Sequence, residues 1–160
     1  MDILNHDFLQ FLTCAYTNKL QYLLVGGYAV NYHGYNRNTR DMDVWLNTTI
    51  DNRNSFIDTL LCMNYTKEQV APLYNEDFAK AFKATIGPYT ASIDLLTFFG
   101  ITIDFDEAYS KKEIFLIDND LPVNFVSYEI LIEMKLKAQR PKDFHDIAEL
   151  DRIRNPKNKK

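Results

Sequence analysis

Apolar and polar positions divide the chain into short segments, each with its own period. Phe8, Leu9, Leu12, Tyr16 and Leu20 recur at helical spacing, which predicts an amphipathic helix over residues 5–20. Tyr22, Leu23, Leu24 and Val25 form an unbroken apolar run stopped by Gly26 and Gly27, the pattern of a buried strand ending in a tight turn. A short helix over 27–34, closed by Gly34, and a strand over 41–46 follow. Phe56, Ile57, Leu60, Leu61 and Met63 place a second long helix over 50–63. Two β-like runs, 82–86 and 91–98, flank Gly87 and Pro88 and read as hairpin partners. Further strands are expected at 114–117 and 123–126. Two helices close the chain, the first capped by Ser127 and the second with Pro141 in its first turn.

Helices and strands interleaved in this way predict an α/β (α+β) fold. No repeat and no Pro/Gly/Ser linker interrupts it, so residues 1–154 read as one domain. A chain of 160 residues is long enough to bury one proper core. The tail from 155 to 160 has nothing to bury and is expected to fray. No apolar run approaches the ~20 residues needed to span a bilayer, and the first residues lack a basic, then apolar, leader. A cytoplasmic protein without a membrane partner is therefore expected, and its oligomeric state is open.

Charge narrows the partners. The net charge is −4 with both signs interspersed, which argues against nucleic-acid binding through one large basic surface. Cys14 and Cys62 lie in apolar helical patterns without a CxxC partner or a nearby His. They read as two small buried hydrophobes in a reducing compartment, not as zinc ligands. His6, His33 and His145 show no metal-ligand spacing and read as structural or surface residues.

The chemistry concentrates between Val25 and Val44. A Gly-Gly turn separates a strand from a helix, a polar loop carries Arg37, Thr39 and Arg40, and Asp41 and Asp43 head the next strand. Strand residues two apart share a face, roughly 7 Å from each other along the chain. Two carboxylates brought to about 5 Å repel by about 3 kcal/mol at an effective dielectric of ~20. A proton, a basic side chain or a divalent cation relieves that repulsion, and magnesium takes such oxygens while accepting water and phosphate in its other positions. Gly26 and Gly27 permit close backbone approach, and backbone N–H groups opening a helix favour anions. Asp94 stands alone in the apolar stretch 91–96, where an unpaired acid is costly to bury, so it is the candidate third carboxylate.

In this order and spacing, Gly26-Gly27, then Arg37, Thr39, Arg40, Asp41 and Asp43, then Asp94 on a later strand, the chain resembles the minimal nucleotidyltransferases of the polymerase-β-like superfamily, in the flavour of the small bacterial AbiEii-like members. The likeness extends more thinly to Leu131–Lys135, Arg140, Lys142, Asp143 and Asp146. It implies a short mixed sheet with helices packed on one side. It further implies two Mg²⁺ (or Mn²⁺) ions on Asp41, Asp43 and Asp94, and a triphosphate held at Gly26 and Gly27 with help from Arg37, Thr39 and Arg40. The implied reaction transfers NMP from an NTP to a hydroxyl of a tRNA end, a protein or a small molecule, releasing pyrophosphate. A toxin–antitoxin or resistance role follows by analogy alone. Gly27 stands where many members carry Ser, so a hydroxyl contact to phosphate is missing at that position.

Lys135 falls inside the apolar arc of its helix, away from the charged face of Glu129, Glu133 and Lys137. It either reaches the phosphates or pairs with Asp143 to tie the last two helices together. Lys80 and Lys83, ahead of Asp94, are further phosphate candidates. The alternative to an enzyme is a non-catalytic nucleotide- or partner-binding module on the same fold.

Overall fold

The computed structural model describes Ile3 and residues 5–158. Its helices are α1 (His6–Thr17), α2 (Gly26–Tyr32), α3 (Ile50–Cys62), α4 (Lys67–Val70), α5 (Phe105–Ser110), α6 (Tyr128–Ala138) and α7 (Pro141–Arg154). Its strands are β1 (Tyr22–Val25), β2 (Met42–Leu46), β3 (Lys83–Ile86), β4 (Ile93–Leu96), β5 (Glu113–Ile117) and β6 (Leu121–Phe125). The strands form one mixed sheet in the order β3-β4-β2-β1-β6-β5. Pairing is parallel for β1 with β6 and for β2 with β4, and antiparallel elsewhere. The expected α/β class is what the chain adopts, and the predicted hairpin around Gly87 is β3–β4.

Three of the long helices start where the side chain of the preceding residue satisfies a free backbone donor. Asn5, Thr49 and Ser127 accept from Asp7, Asn52 and Ile130 at the heads of α1, α3 and α6. Pro141 opens α7, as its fixed φ favours. Past α7, Pro156–Asn158 makes a 3₁₀ turn, and the rest of the tail lies outside the described residues.

The central strand β1 is buried along its whole length, so both faces of the sheet are covered there. Tyr32 of α2 stacks on Phe125 at 4.3 Å, and Tyr28 of α2 meets Phe8 of α1 edge-on at 5.5 Å, which gathers α1 and α2 over one face. On the opposite face Trp45 packs edge-on against Phe99 and Phe105. None of the described helices is long and apolar enough to cross a membrane.

One cysteine expectation is corrected. Cys14 and Cys62 are joined as a disulfide between α1 and α3, their Cα atoms 5.8 Å apart across 48 residues of sequence. Helical patterning puts each on a packed face, but only the pairing of α1 with α3 brings the two together. A cross-link closing so long a loop contributes about 2–4 kcal/mol by restricting the unfolded chain. Treatment with a thiol reductant should lower the melting temperature accordingly, and a Cys14→Ser, Cys62→Ser double variant should be insensitive to the reductant.

Candidate active site

Strand register sets the carboxylates. β2 lies between β1 and β4, with Asp43 opposite Val25 on one side and opposite Asp94 on the other. Residues opposed across a ladder share a face, so Asp43 and Asp94 stand side by side on adjacent strands, backbones about 5 Å apart. Asp41 sits just ahead of β2. Its carboxylate accepts from the Ser92 N–H at 3.2 Å and the Ser92 hydroxyl at 3.0 Å, with Arg40 at 3.5 Å. The Thr85 hydroxyl donates to Asp94 at 2.7 Å. The parallel pairing of β2 with β4 thus brings together the three acids read from the sequence.

The two glycines have separate reasons. Gly26 adopts φ +62°, and a Cβ there would run into the Asp43 carboxylate, so only glycine fits between β1 and α2. A Cβ on Gly27 would fall on the Thr39 side chain. The Thr39 hydroxyl therefore lies where a side chain at position 27 would reach, so a hydroxyl is present despite Gly27.

Burial raises the Asp43 carboxyl most, the neighbouring Asp94 and Asp41 push it further, and Lys142 and Arg140 draw it back, leaving it at about 6. The folded protein thus holds a proton that the unfolded chain has lost between about pH 4 and 6, so this group makes stability fall as pH rises through that window. The full effect is roughly 3 kcal/mol. Denaturant titrations of the metal-free protein at pH 5 and pH 7.5 should show lower stability at pH 7.5, and added Mg²⁺ should narrow the gap.

Beside the acids lies a buried ionic network. Lys135, 4% exposed, reaches Asp146 at 2.8 Å and Asp143 at 3.1 Å. Arg37 grips Asp146 through two N–H groups at 2.8 and 3.0 Å, and Arg140 holds Asp143 at 2.7 and 3.1 Å. Burial alone would raise the Asp143 carboxyl, but the hydrogen bonds from Arg140 and Lys135 outweigh it and hold it at about 2. Lys135 thus adopts the pairing that the sequence left as one of two options, and Arg37 is tied to Asp146. Both help form the wall of the site as members of this network.

Two connected hollows meet at the carboxylates. One, of about 350 Å³, is walled by Leu96, Phe99, Leu131, Met134 and Ala138, with Lys83 at its edge. The other, of about 300 Å³, is almost wholly polar and carries Arg37, Thr39, Arg40, Arg140 and Lys142. Gly26, Asp43, Asp94, Lys135 and Arg140 border both. Lys80 lines neither hollow, although its carbonyl accepts the Thr97 hydroxyl. The apolar wall was not foreseen. Leu131 and Met134 read as ordinary core positions of a helix, and only their facing of Leu96 and Phe99 across the cavity marks them.

Among the described residues no three acidic, imidazole or thiol groups form a ready-made cation cage. The donors nevertheless suit a hard divalent ion, since magnesium is commonly held by one or two carboxylates completed by waters and substrate phosphates. Such an ion would relieve the repulsion from Asp94 and Asp41 that adds to burial in raising Asp43. The histidines lie elsewhere. His33 is buried against the Val126 carbonyl at 2.8 Å, His145 meets the Tyr35 hydroxyl at 3.0 Å, and His6 is exposed. No protein-family model matches the chain, and no curated protein matches it.

Proposed function

We propose that the protein is a metal-dependent nucleotidyltransferase that moves NMP from an NTP to an acceptor hydroxyl and releases pyrophosphate. The observation that carries this reading is the position of Asp43 and Asp94 on the border between a hollow with an apolar wall and a cationic one, with Asp41 beside them in the cationic one. A nucleotide has the same division, with an aromatic base at one end and a polyanion at the other, and its reacting phosphorus lies between them. Asp41, Asp43 and Asp94 would hold two Mg²⁺ or Mn²⁺ ions, which supply charge stabilisation to the entering and leaving oxygens.

The chain's own residues do the rest. Leu96, Phe99, Leu131 and Met134 offer the base a dry face. Arg40, Lys142 and the outer part of Arg140, with the backbone N–H groups of Gly26 and Gly27 and the Thr39 hydroxyl, receive the triphosphate. Asp94, oriented by Thr85, accepts the proton as the acceptor oxygen bonds to the α-phosphorus and the bond to pyrophosphate breaks. The acceptor is a hydroxyl of an RNA, a protein or a small molecule. A reaction that consumes NTP places the protein in the cytoplasm in this reading.

Calorimetric titration of the full chain with each NTP, with and without Mg²⁺, tests the binding half. The reading expects saturable binding that needs the metal and weakens on Lys142→Ala. Absence of metal-dependent binding for all four nucleotides would refute it.

A further inference from the structure

The sheet ends at β5, and the open edge of that strand is apolar. Ile114, Phe115 and Leu116 are 54%, 40% and 50% exposed, in successive positions. Exposed edges are ordinarily guarded by a charge, a proline or a covering segment, because their free N–H and C=O groups invite another strand. Here the charges stand at the two ends, Lys111, Lys112 and the strand's first residue Glu113 at one and Asp118 and Asp120 at the other.

The ladder shows which backbone groups are free. The Val126 N–H donates to Leu24 of β1, so the even residues of β6 turn to β1 and the odd ones to β5. Pro122, opposite Leu116, has no N–H to give, which agrees. In an antiparallel ladder the residues opposite the odd ones, Glu113, Phe115 and Ile117, therefore bond inward. Ile114 and Leu116 direct their N–H and C=O groups outward.

We infer that this edge pairs with the same edge of a second copy of the chain, antiparallel about a two-fold axis through Phe115. In that register Ile114 of each copy meets Leu116 of the other, and both residues have outward-facing backbone groups. The Lys112 end of each copy then lies against the Asp118 end of the other, Asp118 standing in the turn that follows β5. The two Phe115 rings meet on the opposite face, next to Tyr32, which lies 6.5 Å from Phe115 within each copy. The strand is thus apolar in its middle with Lys112 before it and Asp118 after it, so antiparallel pairing brings opposite charges together, while Glu113 stays beside His33 of its own copy at 3.7 Å. Asp118 makes no ion pair among the described residues, and Lys112 has no carboxylate partner, its ammonium lying over the Tyr109 ring at 4.0 Å. The result is one sheet running continuously through both copies. The arrangement is isologous and closes on itself.

Sedimentation equilibrium of the full chain at low salt reads this directly. The expected mass is twice 18.7 kDa. Lys112→Glu alone and Asp118→Lys alone should each weaken association at least ~10-fold, about 1.4 kcal/mol. Mixing the two single variants should restore a dimer, because both cross-pairs become opposite in sign. Leu116→Pro, which removes an outward N–H without touching a bond to β6, should give monomer. A wild-type monomer at roughly 100 μM, where micromolar association would be nearly complete, would overturn the inference. So would a dimer indifferent to all three substitutions.

Discussion

Asp43→Asn should abolish nucleotidyl transfer and, at neutral pH, make the protein harder to unfold. Three acids border the same cavity, and burial first, then the neighbouring Asp94 and Asp41, raises the Asp43 carboxyl to about 6. An amide keeps the shape and removes the charge. The expected loss in kcat is ~10³-fold or more, roughly 4 kcal/mol of barrier. The same change relieves repulsion in the metal-free protein and should raise its stability at pH 7.5 by up to roughly 3 kcal/mol, flattening its pH dependence. A gain in stability with a loss in activity is the signature of a residue kept for function. Steady-state pyrophosphate release and urea unfolding on the same preparation check both halves. A variant less stable than wild type at pH 7.5 would contradict the electrostatic account of this site.

Lys135→Met should have the opposite character. Asp143 and Asp146 are 0% and 1% exposed, and the Lys135 ammonium bridges them. Methionine fills the space without the charge, leaving two buried carboxylates facing one another. Each keeps one arginine, Arg140 or Arg37. Breaking a buried pair by removing one partner costs about 3–5 kcal/mol. For a chain of this size the melting temperature should fall by roughly 10 °C. The folded fraction should keep its affinity for NTP, because the phosphate contacts assigned above come from Arg40, Lys142 and Arg140. Unchanged stability with lost NTP affinity would return Lys135 to the phosphate-binding set.

The parts legible in the sequence are those written in local pattern. Tyr22–Val25 is a strand because its apolar run is bounded by Gly26 and Gly27, and Asp41 and Asp43 carry their meaning in their spacing. Asp94 was identifiable because a lone acid in an apolar strand needs a partner. What escaped depends on which strands become neighbours. The register that sets Asp94 beside Asp43, the cross-link from Cys14 to Cys62, and the meeting of Leu131 and Met134 with Phe99 all join segments far apart in the chain. The short α4 and α5 escaped too, because six residues or fewer give no helical period to read. Lys135 lies in between. Its helical position showed that it must be paired, but Asp146 became its second partner only through the packing of α7 against α6.

The most direct test of the central claim follows the α-phosphate. The purified chain would be incubated with each α-labelled NTP and Mg²⁺ or Mn²⁺, with total tRNA, cell lysate and small hydroxyl compounds as acceptors. The account predicts metal-dependent transfer of label to one acceptor class, matched by pyrophosphate and absent in Asp43→Asn. No transfer from any NTP to any acceptor, despite metal-dependent nucleotide binding, would contradict catalysis and leave a nucleotide-binding module on this fold.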